Sequence, residues 1–123
     1  MCMNTINAVV RRLTPLECTR LQGFPDGWVD IGDWTDEKGK LHKDSDSVKY
    51  KALGNSIAMP YWRMLAKRVA ESLGDDDLTM GSLFSGIGGF ELAFGEAGFK
   101  PLWASEIEPF CIAVTKKRFS EEE

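Results

Sequence analysis

The sequence has few cysteines, no concentration of positive charge and no long apolar run, and each shortage narrows what the chain can do. Cys2, Cys18 and Cys111 are its only cysteines among 123 residues. Their wide separation suits neither a disulfide framework nor a zinc site. His42 lies between Leu41 and Lys43 and reads as an exposed loop residue. Asp44-Ser45-Asp46 lacks the glycine and distal glutamate of a calcium loop, so no metal site is expected. Lys and Arg number 15 against 19 Asp and Glu, a net charge of −4. The basic residues are scattered, whereas a free-standing nucleic-acid binder draws most of its affinity from a basic face. No apolar stretch approaches membrane-spanning length and no signal segment is visible, so a cytoplasmic chain without a membrane partner is expected.

What is present suits a small globular unit. The composition is 43% hydrophobic and the length fits one domain with a modest core. Thr14-Pro15-Leu16-Glu17 is a capping box that opens a short helix within residues 8–24, with Gly23 placed to end it and Leu13 placed to staple against Cys18. Residues 26–49 are polar and glycine-punctuated, which predicts a long loop or loose hairpin anchored by Trp28, Val29, Ile31 and Trp34. A stronger helix follows Gly54-Asn55-Ser56. Tyr61, Trp62, Leu65, Ala66, Val69 and Leu73 share its apolar stripe, with Arg63, Lys67 and Glu71 opposite. Pro60 belongs in its first turn and Gly74 at its end.

From Leu78 the pattern changes. Leu78 to Phe84 reads as a strand, Gly86-Ile87-Gly88-Gly89 breaks it, and Phe90, Ala93, Phe94 and Ala97 follow helical spacing. Pro101 to Ser105 reads as a second strand, and Pro109 opens a last helix through Phe110 and Val114. The order strand, glycine loop, helix, strand, helix is the start of a parallel α/β sheet. Two strands leave such a sheet incomplete, since parallel strands are normally covered on both faces. The expected division is residues 1–74 and 75–123, packed as one unit.

The glycine loop is the first chemical signal. A glycine-rich turn into a helix lets backbone amides approach a ligand at the helix's positive end. Glu106, at the end of the second strand, can accept both hydroxyls of a ribose. These two features indicate a nucleoside-containing cofactor, and their spacing also suits a dinucleotide.

Residue identities are more specific. Gly81-Ser82-Leu83-Phe84-Ser85-Gly86-Ile87-Gly88-Gly89-Phe90 resembles the first motif of the DNA cytosine-5 methyltransferases, and Trp103-Ala104-Ser105-Glu106-Ile107-Glu108 resembles their second. Tyr50-Lys51-Ala52-Leu53-Gly54-Asn55-Ser56-Ile57 is similar to their tenth, and Arg12 to Pro25 to their ninth. The ninth and tenth motifs precede the first and second, as in circularly permuted members. Ser82 stands where many members have an acid, and Ile107 where some have an aromatic.

The resemblance implies a partial Rossmann-like, S-adenosylmethionine-dependent methyltransferase fold. Phe84 and Ile107 would lie on the two faces of adenine, and Glu106 would take the ribose diol. The backbone from Ser85 and Gly86 through Ile87, Gly88 and Gly89 would line the methionine end, with Asn55, Ser56 and Ile57 reaching it from the tenth motif. Ser56 could instead cap the following helix.

No catalytic residue is assigned. Methylating carbon 5 of cytosine requires a thiolate at carbon 6 and an acid at the ring nitrogen. The family's Pro-Cys and Glu-Asn-Val strings do not occur here. The reading is therefore a fragment or split part of a permuted DNA cytosine-5 methyltransferase of the restriction–modification kind, inactive alone. Its expected partners are DNA, met through other regions, and a complementing methyltransferase segment or a second copy in a homodimer. A non-catalytic remnant or regulatory interaction module that binds cofactor or a partner methyltransferase chain is the alternative. A dinucleotide-dependent oxidoreductase would leave the tenth-motif block unexplained.

Overall fold

A computed structural model describes residues 9–74 and 76–120. The capping box forms as read. Thr14 Oγ1 accepts from the Glu17 amide and the Glu17 carboxylate accepts from the Thr14 amide, opening α1 at Pro15–Gln22. Gly23 ends it in the left-handed conformation. The helix is short, as expected, because Thr14 is still extended and Pro15 occupies the first turn. Trp28, Val29 and Ile31 then turn inward and are buried, and Trp34 packs against the core they join.

Residues 26–49 form more structure than a loop. Strands β1 (Trp34–Thr35) and β2 (Leu41–His42) pair as an antiparallel hairpin, followed by α2 (Asp46–Gly54). His42 is not a free loop residue: it stacks on Trp34 with ring centroids 4.2 Å apart and its Nε2 lies 2.8 Å from Asp36 Oδ2. Helix α2 escaped the periodicity reading because its buried face carries Lys49 beside Ala52 and Leu53. Desolvation pushes the Lys49 ammonium down, but Asp30 at 2.9 Å and Asp44 at 3.0 Å outweigh it and hold the group above its ordinary pKa. A buried cation this well paired reads as polar in a sequence and behaves as core.

Helix α3 (Met59–Leu73) follows, with Pro60 in its first turn and Gly74 at its end. Met59 and Ala66 are fully buried and Trp62 packs on the core, whereas Tyr61 and Leu73 remain exposed. Arg63, expected on the solvent face, donates to the Gly23 carbonyl at 2.7 Å and to Glu96 at 2.8 Å. The second half contains β3 (Thr79–Leu83), α4 (Gly89–Glu96), β4 (Lys100–Ser105) and α5 (Pro109–Phe119).

Strands β3 and β4 are parallel, with an irregularity that leaves Leu102 opposite no β3 residue. The fold is thus mixed α/β with a small, incomplete parallel sheet, as expected. The hairpin forms a separate sheet and does not extend it. It covers α5 instead: Trp34 meets the buried Phe110 edge-on at 5.6 Å. One core cluster runs from Phe24, Trp28 and Val29 through Leu53 and Met59 to Ile87, Ala93 and Val114. Each large side chain there contributes roughly 1.5–3 kcal/mol by burial. Among the described residues, no helix is long and apolar enough to cross a membrane and no metal-binding cluster occurs.

Candidate cofactor site

The two parallel strands end at one cleft of about 300 Å³, which the tenth-motif segment closes from the side. β3 stops at Leu83, and Phe84 follows with φ 53°. A bulky aromatic in the left-handed region is a true outlier and is strained. Its ring is 87% exposed, so the strain is not repaid by burial. Ser85 turns in instead: its amide donates to the Ser105 carbonyl at 3.0 Å and its hydroxyl lies 3.1 Å from Ser82 Oγ. These buried serines tie the loop to the end of β4.

The four loop residues that follow have different duties. The Gly86 amide donates to Glu106 Oε2 at 2.6 Å. Ile87 is buried in the core, and its carbonyl accepts from Trp28 Nε1. Gly88 has φ 87°, and a side chain there would also run into the Phe119 ring. A Cβ on Gly89 would come within 2.8 Å of Ile57 Cγ1 and 3.2 Å of Phe24 Cζ. Close packing therefore explains Gly89, and it also places Ile57 under the start of α4.

Glu106 is the most constrained polar side chain of the cleft. Besides the Gly86 amide it accepts from the amides of Ile107 at 2.7 Å and Glu108 at 2.9 Å, both through Oε1. Partial desolvation pushes its carboxyl up, but the Glu108, Gly86 and Ile107 amides outweigh this and hold it below the usual glutamate range. The group is an anion at neutral pH. Ile107, next to it, is 91% exposed.

The cleft thus gathers Phe84, Gly86, Glu106, Ile107 and Asn55. Asn55 is the exposed residue that ends α2. Ser56 turns the chain, its amide donating a hydrogen bond to the Leu53 carbonyl at 3.2 Å, and does not cap α3, whose N-cap is Ala58. Sequence reasoning missed Lys51 and Glu108, whose charged groups approach to 3.7 Å across the cleft. They come from α2 and the turn after β4, and nothing in their local sequence joins them.

The thiol at this site is a poor nucleophile. Cys111 is buried against the cleft, and desolvation first, then Glu106 and Glu108, push its pKa up to about 12. Cys18 sits half-buried on α1 beside Leu21 and Tyr50. Cys2 lies outside the described residues.

A strand, a glycine loop, a helix and a parallel strand ending in an acid define the class: the opening unit of a parallel α/β domain. The family is also shown. The C-5 cytosine-specific DNA methylase family matches residues 3–71 and 78–123, and the chain belongs to it. It is 35% identical over 96 residues to a DNA N-6-adenine-methyltransferase of Escherichia phage P1, covering 59% of this chain and 12% of that protein. It is 38% identical over 66 residues to the Type II methyltransferase M.HpaII of Haemophilus parainfluenzae, covering 54% of this chain and 15% of the relative. It is 45% identical over 53 residues to the Type II methyltransferase M.BanI of Aneurinibacillus aneurinilyticus, covering 43% and 10%. These matches span only 10–15% of the relatives' lengths.

Proposed function

We propose that this chain supplies the adenosine end of an S-adenosylmethionine site in a DNA cytosine-5 methyltransferase, and that the 123-residue polypeptide alone transfers no methyl group. One observation carries the reading: an ionised carboxylate, Glu106, stands between two outward apolar side chains, Phe84 and Ile107, at a single cleft. Strained backbone at an exposed aromatic is the kind of outlier that points to function.

The residues present fit the cofactor. A carboxylate has about four acceptor positions, and three are taken by backbone amides here, leaving one at Oε2 for a ribose hydroxyl. Accepting the second hydroxyl requires one amide to yield. Phe84 and Ile107 cover the faces of adenine and exclude water from them. The Gly86 and Gly88 amides are engaged by Glu106 and the Ser85 carbonyl, so it is the positive end of α4, beginning at Gly89, that attracts the carboxylate of the methionine end, with Asn55 alongside. When bound, S-adenosylmethionine supplies an electrophilic methyl group on its sulfonium.

The nucleophile comes from residues other than these 123, since the family's Pro-Cys and Glu-Asn-Val strings are absent and burial keeps Cys111 protonated. DNA is the proposed substrate and a restriction–modification system the setting, met through a complementing segment of the enzyme or a second copy that completes the sheet. The permuted order supports this arrangement, because α3 packs beside α4 and leads through a short connector into β3. The phage P1 relative's name favours a second reading, transfer to an adenine amine, which needs no thiolate at all. The family match favours cytosine.

Ultraviolet crosslinking with labelled S-adenosylmethionine tests the site. Label is expected on the peptide containing Phe84 or Ile107, displaced by S-adenosylhomocysteine and not by a nicotinamide dinucleotide. Equal displacement by the dinucleotide contradicts the reading.

A further inference from the structure

Glu91, in the first turn of α4, is 5% exposed, and neither carboxylate oxygen has a hydrogen-bond partner among the described residues. A buried carboxylate without a partner is strongly unfavourable, and native proteins keep one only where something else satisfies it. It borders two cavities, of about 570 and 540 Å³, framed by α4, β4 and α5. Lys100, Lys116 and Arg118 border them too, but among the described residues none bonds to Glu91. Lys116 pairs with Glu37, and Arg118 donates to the carbonyls of Gly27, Trp28 and Asp30.

The larger cavity lies along β4, and β4 is itself unfinished. Among the described residues it pairs only with β3, and all six of its residues are exposed, including Leu102 and Trp103. Pro101 in such a strand is tolerated at an edge, where its missing donor matters least. An edge strand offers unpaired backbone groups to another chain. The unpaired strand and the unpartnered buried carboxyl group therefore flank one cavity.

We propose that this cavity docks an extended, basic polypeptide segment, whose backbone pairs with β4 and whose lysine or arginine reaches Glu91. The aliphatic stem of such a side chain lies against Pro101, Trp103 and Phe119, which line the passage to the carboxylate. Strand addition supplies affinity through the main chain, and the buried acid supplies selection for a cation. This deepens the complementing-segment reading and rests on it only for where the segment comes from.

The test pans the whole 123-residue chain with a phage library of random peptides of about eight residues. Enriched peptides should carry one lysine or arginine among apolar and β-branched residues. Glu91→Gln should weaken a synthetic winner about 30-fold in fluorescence anisotropy, the loss expected when a buried charge pair is broken. Winners without a basic residue, or winners indifferent to Glu91→Gln, overturn the proposal. Glu91→Leu supplies a second measure: it should raise the melting temperature of the free chain while abolishing peptide binding. A lowered melting temperature overturns the claim that the carboxylate is uncompensated. A concentration-dependent dimer abolished by Glu91→Gln overturns it in favour of a second copy of this chain. Labelling by S-adenosylmethionine, measured alongside on each variant, reports separately on the cofactor reading.

Discussion

The Trp28 indole donates to the carbonyl of Ile87 at 2.7 Å, so the segment leaving α1 holds the glycine loop from beneath. Both residues are buried, and Trp28 also packs against Phe24 and Phe119. Trp28→Phe keeps a ring but strands the Ile87 carbonyl, which costs about 1–3 kcal/mol. Urea denaturation should show that loss. An unchanged midpoint would mean that the loop is held by other contacts.

Two glycines of α4 should respond oppositely to alanine. Gly89→Ala drives a methyl group into Ile57 and Phe24, and overpacking of this kind costs about 1–3 kcal/mol. Gly95 has open space and an ordinary helical backbone, so Gly95→Ala should stabilise the chain by about 0.4–1 kcal/mol. Thermal melts of the two variants read both signs. Two equal shifts would contradict the packing assigned to Gly89.

Much of this was legible in the sequence where a local rule acts. The Thr14–Glu17 capping box and the Gly23 and Gly74 stops depend on neighbours within a few residues, and the parallel strands were legible from the order strand, glycine loop, helix, strand. Helix α2 was hidden because Lys49 is buried by aspartates from two other segments, which no local pattern reveals. His42 read as free because its partners, Trp34 and Asp36, meet it only across the hairpin. Among candidate site residues, Phe84, Glu106 and Ile107 meet at the cleft, whereas Ile57 packs under Gly89. The orphaned Glu91 was invisible too, since a glutamate in the first turn of a helix reads as a solvated, dipole-stabilised residue.

Cys111 should resist alkylation. With its pKa pushed up to about 12 from an ordinary 9.0, the thiolate fraction at pH 8 falls about 1000-fold, and burial slows access further. Mass spectrometry after iodoacetamide treatment should find Cys18 modified well before Cys111. Rapid native-state modification of Cys111 would reopen it as a nucleophile.

Glu106 also predicts a pH dependence. Its folded pKa lies below the unfolded value, so the loop contacts it makes are fully present above the ordinary glutamate pKa. They are lost as pH falls through the lower, folded value. Cofactor affinity should therefore stay level from neutral pH down through the ordinary glutamate range and drop only under stronger acid than that. Glu106→Gln should flatten that acid limb. An affinity that already declines between pH 7 and 6 would point to a different titrating group.

Titration calorimetry of S-adenosylmethionine against the whole chain and Glu106→Ala tests the central claim most directly. Binding to the parent is expected in the micromolar to millimolar range, about −4 to −8 kcal/mol. Glu106→Ala should lose roughly 1.5–3 kcal/mol, the share of one charge-assisted hydrogen bond to a ribose hydroxyl. Circular dichroism on the same samples should show the variant folded. Equal affinity for a folded Glu106→Ala and the parent would contradict the cofactor site.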